Sequence, residues 1–218
     1  MIGDRLVITD YHRAGSARIM DALSALLQSA DTPVAVSICG ESGSGKSEMA
    51  HCVAESLEAE GQHAVILAQD DYFRLPPKTN YQRRLEDISW VGPGEVRLEL
   101  LDEHIMVLKG NGREPLAKPL VHFDADRIGS ELVRFDALYV VVAEGTYTGM
   151  LHNVDLRAFI NRDYRQTKKA RLARRRDPDI DFLEKVLAIE HEIIRTQKAR
   201  ADVVIGPPEE ERGPVEKG

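Results

Sequence analysis

Residues 40–47 read Gly40-Glu41-Ser42-Gly43-Ser44-Gly45-Lys46-Ser47, the spacing G-x-x-x-x-G-K-S. This pattern is suited to one task, holding a polyphosphate. Glycines let the backbone curl until several N–H groups converge on one anion. Lys46 has the reach for the terminal phosphates, and the Ser47 hydroxyl suits Mg²⁺. A helix starting at this point adds the positive end of its dipole. All eight residues are therefore candidates for nucleotide binding.

Three acidic side chains follow apolar runs in a way that matters for such a site. Asp70 and Asp71 come one residue, Gln69, after His63–Ala68, and Glu144 directly after Leu138–Ala143. A carboxylate beside bound phosphates can take the proton of an attacking hydroxyl, or orient Mg²⁺ or its water. The plain alternative for Asp70 and Asp71 is a turn or cap, since Asp is common in both. Glu144 reads as the acid that supports the metal, or as an exposed strand-end carboxylate. A basic run, Arg162, Arg165, Lys168, Lys169, Arg171, Arg174, Arg175 and Arg176, stands out in an acidic chain. It reads as a lid that brings guanidinium groups over a transferring phosphoryl group, as a solvated helix face, or as a nucleic-acid contact. Trp90 and Tyr147 are candidates for substrate contact or for packing with one polar tip. His122, expected in a loop over the sheet edge, is a candidate for substrate contact, whereas His51 and His104 sit among apolar neighbours and read as structural.

These residues need elements to hold them. Val34–Cys39 is an apolar run with a buried-strand pattern, and Met49, Ala50, Val53, Ala54 and Leu57 keep helical spacing after the loop. Ile19, Met20, Leu23, Leu26 and Leu27 form a helical stripe in the lead-in. Residues 74–94, rich in Pro, Arg and Asn, read mostly as loop. A helix is expected over 95–108, strands over 138–143, 156–160 and 201–205, a basic helix over 163–176 and a further helix from Phe182. Helices alternating with continuous apolar strands predict a parallel sheet covered on both faces, with ligands at the carboxyl ends of its strands.

The chain has 218 residues and a formal net charge of −7. That length allows one domain with a real core. The negative balance argues against a surface-wide nucleic-acid footprint. No apolar run approaches the length that spans a bilayer, and the first residues lack a signal-peptide pattern. Cys39 and Cys52, the only two cysteines, suggest neither a disulfide nor a metal set. A cytoplasmic protein is expected, without nucleic-acid or membrane partners and with homo-oligomerisation left open.

The glycine loop, then Gln69-Asp70-Asp71-Tyr72-Phe73, Glu144-Gly145, the arginine-rich segment and Ala201-Asp202-Val203-Val204-Ile205 together resemble the uridine kinase and phosphoribulokinase superfamily. Nicotinamide riboside kinases belong to the same group. The resemblance covers about residues 33–206. It implies an α/β fold of the P-loop NTPase type, three layers αβα with a mainly parallel sheet and an Arg-rich helical lid. It also implies a division into a helical lead-in (1–32), a kinase domain (33–206, lid about 162–181) and a flexible tail (207–218). The implied activity moves the γ-phosphoryl group of ATP, with Mg²⁺, to a hydroxyl of a small molecule. Under the resemblance Asp70 matches the catalytic base, and Lys46, Arg171 and Arg174 join it in catalysis. Arg175 falls with the nucleotide and Glu144 with the metal. Asp71 matches a position that is Ser in uridine kinases and Asp in nicotinamide riboside kinases, and Tyr72 belongs to the family's aromatic pair. With Trp90, His122, Arg127 and Tyr147 they make up the expected acceptor side.

Two departures fall on that side. Ser89-Trp90-Val91-Gly92-Pro93 replaces the family's Asn-Phe-Asp-His-Pro, so the carboxylate that grips a ribose is missing. An aromatic-Asp pair is replaced near Val121-His122-Phe123, while Arg127 keeps a basic position. The resemblance therefore implies a uridine kinase-like enzyme, with nicotinamide riboside or another non-uridine sugar as the alternative acceptor. An ATP-sensing module without kinase activity is the alternative class.

Overall fold

The computed structural model describes residues 6–110, 115–134, 140–168, 171, 180–208 and 211. Among these residues are seven strands, β1 (Val34–Gly40), β2 (Ala64–Ala68), β3 (Leu116–His122), β4 (Arg127–Val133), β5 (Val140–Gly145), β6 (Leu156–Ile160) and β7 (Val203–Ile205). Five helices accompany them: α1 (Asp10–Leu27), α2 (Lys46–Ala59), α3 (Pro77–Glu86), α4 (Leu98–Lys109) and α5 (Ile180–Ile194).

Five strands form one parallel sheet in the order β2-β5-β1-β6-β7. The central β1 and β5 are buried along their whole length, as a sheet with both faces covered requires. Alternation divides their side chains between two cores. Val34, Val36, Ile38, Val140 and Val142 meet α1 and α2 through Ile19, Leu23, Met49, Val53 and Leu57. Ala35, Cys39, Val141 and Ala143 face the other way, onto Leu101, Ile105 and Leu108 of α4 and Ile194 of α5. The result is a three-layer α/β arrangement in which β1, β2 and β5 end side by side. No helix among the described residues is long and apolar enough to cross a membrane.

Two regions differ from expectation. Residues 74–94 are not mainly loop, because α3 occupies 77–86. Its only buried residue is Asn80, so it turns a polar face inward and leaves no apolar stripe to detect. Residues 116–133 form an antiparallel hairpin, β3 with β4, which places His122 at a strand end rather than in a loop before the next strand. At the hairpin tip Asp126 has a φ of 45°. Its carboxylate accepts from the Lys78 N–H at 2.6 Å and the Thr79 hydroxyl at 2.8 Å. It thus caps α3, whose own cap residue, Pro76, makes no side-chain cap bond. The expected basic helix lies largely outside the described residues, which hold only its start: a turn through Tyr164–Thr167, with Lys168 and Arg171 helical.

Candidate active site

The loop between β1 and α2 adopts the backbone that its glycines permit. Gly43 has φ 75° and Gly45 φ 103°, values that other residues rarely adopt. Lys46 Nζ donates to the Glu41 carbonyl at 3.0 Å. The Ser44 hydroxyl is buried in this cradle with no hydrogen-bond partner. An orphaned hydroxyl in a ring of backbone N–H groups at a helix start fits a phosphate oxygen.

The acidic residues arrive from neighbouring strands. Ser47 donates its hydroxyl to Glu144 Oε1 at 3.1 Å, so α2 and β5 bring their metal candidates into contact. Burial pushes the Glu144 carboxyl up to about 7, and the charge of Asp70 pushes it the same way. Lys46 and the Ser47 hydroxyl pull it back. Asp70 is exposed on a 3₁₀ turn, Gln69–Tyr72, that follows β2 directly. Oxygen donors of this kind suit Mg²⁺. Among the described residues no three His, Cys, Asp or Glu side chains converge into a metal cage.

The spacing of Asp70 and Glu144 is set by a contact that the sequence did not signal. Gln69 is fully buried. Its Oε1 accepts from the Tyr147 N–H at 2.7 Å, and its Nε2 donates to the Thr146 hydroxyl at 2.9 Å. Gly145 permits this, since a Cβ there would collide with the Gln69 side chain. Gln69 and Gly145 therefore bolt the end of β2 to the end of β5.

Glu41 does more than lend a carbonyl. Its carboxylate accepts from the Tyr164 N–H at 2.6 Å and contacts His191 Nδ1 at 2.6 Å. Burial raises its pKa, and His191 works against that. The Thr167 hydroxyl donates to the Ser42 carbonyl at 2.8 Å. The glycine loop is thereby tied to α5 and to the base of the basic segment.

Several expected site residues are placed differently. Arg171 is buried, with its stem against Gly43 and its guanidinium donating to the Tyr164 carbonyl at 2.7 Å. It braces the loop from the side instead of reaching over it. Arg174 and Arg175 lie outside the described residues. Asp71 is 2% exposed, accepts from Lys118 Nζ at 3.0 Å and from the Val121 N–H at 2.9 Å, and so anchors the hairpin to the sheet. Tyr72 is fully buried with its hydroxyl 2.9 Å from His104 Nδ1. Burial, and then the charge of Asp71, raises its pKa. It is a core residue that satisfies its polar tip. Trp90 is half-buried and donates to Asn80 Oδ1 at 2.9 Å. His122 packs near Gly129, and Arg127, its cross-strand partner, is exposed. Tyr147 is buried, three residues beyond Glu144. The structure thus brings Lys46, Ser47, Asp70 and Glu144 to one crevice and gives Asp71, Tyr72 and Arg171 to the scaffold.

Sequence reasoning missed a polar cluster beside this crevice. Glu95, fully buried, accepts from Arg84 at 2.6 and 2.9 Å, from Asn80 at 2.5 Å and from the Gly92 N–H at 2.8 Å. Arg84 also donates to Glu190 at 3.1 Å. Burial works against the Arg84 cation, but Glu190 and Glu95 more than offset it and its pKa is raised.

Parts of this chain are similar to known proteins. A family model described as Zeta toxin matches residues 17–92. The bifunctional alpha-galactosidase/sucrose kinase of Mediterraneibacter gnavus is 26% identical over 191 residues, 81% of this chain. A uridine kinase of Clostridium novyi is 29% identical over 130 residues, 59% of this chain. The chain spans 20% of the first protein and 59% of the second. Phosphoribulokinase from Rhodobacter spheroides superposes with a TM-score of 0.62 at 15% identity, covering 80% of this chain and 69% of that one. At that identity the likeness concerns the fold.

Proposed function

We propose that this chain is a P-loop kinase of the uridine kinase and phosphoribulokinase superfamily, a reading its similarity to uridine kinases supports, and that it transfers the γ-phosphoryl group of ATP to a hydroxyl of a small, polyhydroxylated molecule. The observation that carries this reading is the Ser47–Glu144 hydrogen bond, with Asp70 alongside, at the mouth of the glycine loop. Loop N–H groups and Lys46 hold the phosphates. Ser47 and Glu144 are the groups that would hold Mg²⁺, which when bound supplies positive charge to the phosphate oxygens. Asp70 is open to the crevice and takes the proton of the acceptor hydroxyl. The new oxygen–phosphorus bond forms as the bond between the γ-phosphorus and the ADP oxygen breaks, and ADP leaves. The ties from Glu41 and Thr167 keep the loop in one shape, so little reorganisation is needed at the moment of transfer.

The acceptor is read as a sugar rather than uridine. Where uridine kinases place the ribose-gripping carboxylate, this chain has Val91, a buried apolar side chain. One relative carries the name sucrose kinase, which supports the same choice. Nicotinamide riboside remains the nucleoside alternative. A panel of sucrose, fructose, uridine and nicotinamide riboside with Mg·ATP, read as ADP release, tests this. ADP release stimulated by a sugar is expected. Stimulation only by a nucleoside refutes the acceptor assignment. ATP binding without stimulated turnover by any hydroxyl compound leaves the sensing module in its place.

A further inference from the structure

Among the described residues, most polar atoms of the cluster between α3 and α5 satisfy one another. Glu95 is saturated by four donated hydrogen bonds. Asn80 spends its amide nitrogen on Glu95 and its oxygen on Trp90. Arg84 spends Nε and Nη2 on the two glutamates. Glu190 is 8% exposed, and only its Oε1 is engaged, by Arg84. Tyr147 is 1% exposed, and its hydroxyl has no hydrogen-bond partner. Buried polar atoms are nearly always paired, so a nearly dry hydroxyl and a half-used carboxylate in one cluster call for a partner.

Tyr147 belongs to the turn that follows β5, two residues beyond Gly145. Burial, then Glu190 and Glu95, raise the pKa of its hydroxyl, and Arg84 opposes them. The O–H therefore stays protonated as a donor. Burial is also the main influence on Glu190, which feels Arg84, Glu95 and the Lys46 ammonium of the glycine loop. The cluster thus joins α3, through Arg84, to a carboxylate within electrostatic reach of the glycine-loop lysine.

The geometry points to Tyr147 Oη and Glu190 Oε2 as a built pair that receives hydroxyl groups of an uncharged, polyhydroxylated acceptor, with Arg84 as the positioning residue that holds Glu190. This rests on the kinase reading and deepens it. A carboxylate accepts from one sugar hydroxyl while the tyrosine donates to another, a pairing that fits vicinal diols. Among the described residues around the pair, the charges favour an uncharged acceptor over an anionic one. Arg84 faces two glutamates, the crevice adds Asp70 and Glu144, and the nearby Lys118 is spent on Asp71 and Glu131. A phosphorylated or carboxylated acceptor would meet an excess of negative charge.

The test uses the full chain and two near-isosteric variants, Tyr147→Phe and Glu190→Gln. Sucrose, fructose, uridine, glycerate and ribose 5-phosphate are each measured for binding by calorimetry and for ADP release. A sugar is expected to bind and to turn over best. Both variants should weaken its Kd and raise its KM by tenfold or more, with the Kd for Mg·ATP within twofold of the parent. Arg84→Lys should raise the sugar KM with less effect on kcat. Sugar binding that both variants retain, or a preference for glycerate or ribose 5-phosphate, overturns the assignment. If no compound turns over, the kinase reading fails, and calorimetry still decides the pair: lost sugar binding in the variants supports it, and unchanged or absent sugar binding refutes it. A melting temperature preserved in Tyr147→Phe shows that any loss comes from the hydroxyl and not from unfolding.

Discussion

Gly145→Ala probes how the two strand ends are held together. The added Cβ would lie within 2.7 Å of Gln69 Oε1 and 2.8 Å of its Cδ, and against its Cβ. Gln69 has no room to retreat, because it is fully buried and its neighbour Ala68 is paired with Glu144 in the sheet. Turning the Gln69 side chain away leaves its Cβ in place, so β2 and β5 must part, and the bonds from Gln69 to Tyr147 and Thr146 break. Each lost hydrogen bond is worth about 1 kcal/mol net, with more when a buried group is orphaned. Overpacking adds about 1–3 kcal/mol. A loss of about 3–5 kcal/mol follows, which for a domain of this size lowers the melting temperature by roughly 6–20 °C. Scanning calorimetry or denaturant titration reads this directly. The double variant Gln69→Gly/Gly145→Ala should be less destabilised than the sum of the singles, because the clashing side chain, Cβ included, is gone. A Gly145→Ala melting temperature within about 1 °C of the parent would refute the account. If Asp70 is positioned as proposed, kcat also falls by about 10²-fold at unchanged ATP affinity, since small displacements of a base are costly.

Three further outcomes follow from the same geometry. Asp70→Asn should keep Mg·ATP affinity in calorimetry and cut stimulated ADP release by roughly 10²–10⁴; turnover equal to the parent removes Asp70 as the base. Ser47→Ala should abolish most of the gain in ATP affinity that Mg²⁺ confers, measured by titration with and without the metal, while metal-free binding changes little. Asp126→Ala should cost about 0.5–2 kcal/mol in chemical denaturation through loss of the α3 cap, although residue 126 is 49 positions from the helix start it serves in part.

The glycine loop was legible because its chemistry is contiguous: eight neighbouring residues specify the turn, the lysine and the hydroxyl. Asp70 and Glu144 were legible because apolar strands run straight into them, and parallel sheets gather such ends on one side. The scaffold roles of Asp71 and Tyr72 were hidden because their partners, Lys118 and His104, lie 47 and 32 residues away, a distance over which spacing carries no signal. Helix α3 escaped notice for a related reason. Its inward face is Asn80 and Arg84, held by Glu95 and Glu190, so burial there follows charge pairing instead of hydrophobicity. The hairpin was obscured by Pro119 and the buried Lys118 within β3, residues that ordinarily argue against a strand.

The cap that Asp126 places on α3 has a consequence for engineering. The polypeptide between β2 and β5 leaves the sheet and returns to it, and its two halves are fastened to each other at the hairpin tip. That excursion can be treated as a cassette. A transplant that carries the helix without the hairpin, or the reverse, would arrive with a frayed end, whereas a graft of the whole insert could retune which alcohol is accepted without touching the nucleotide half.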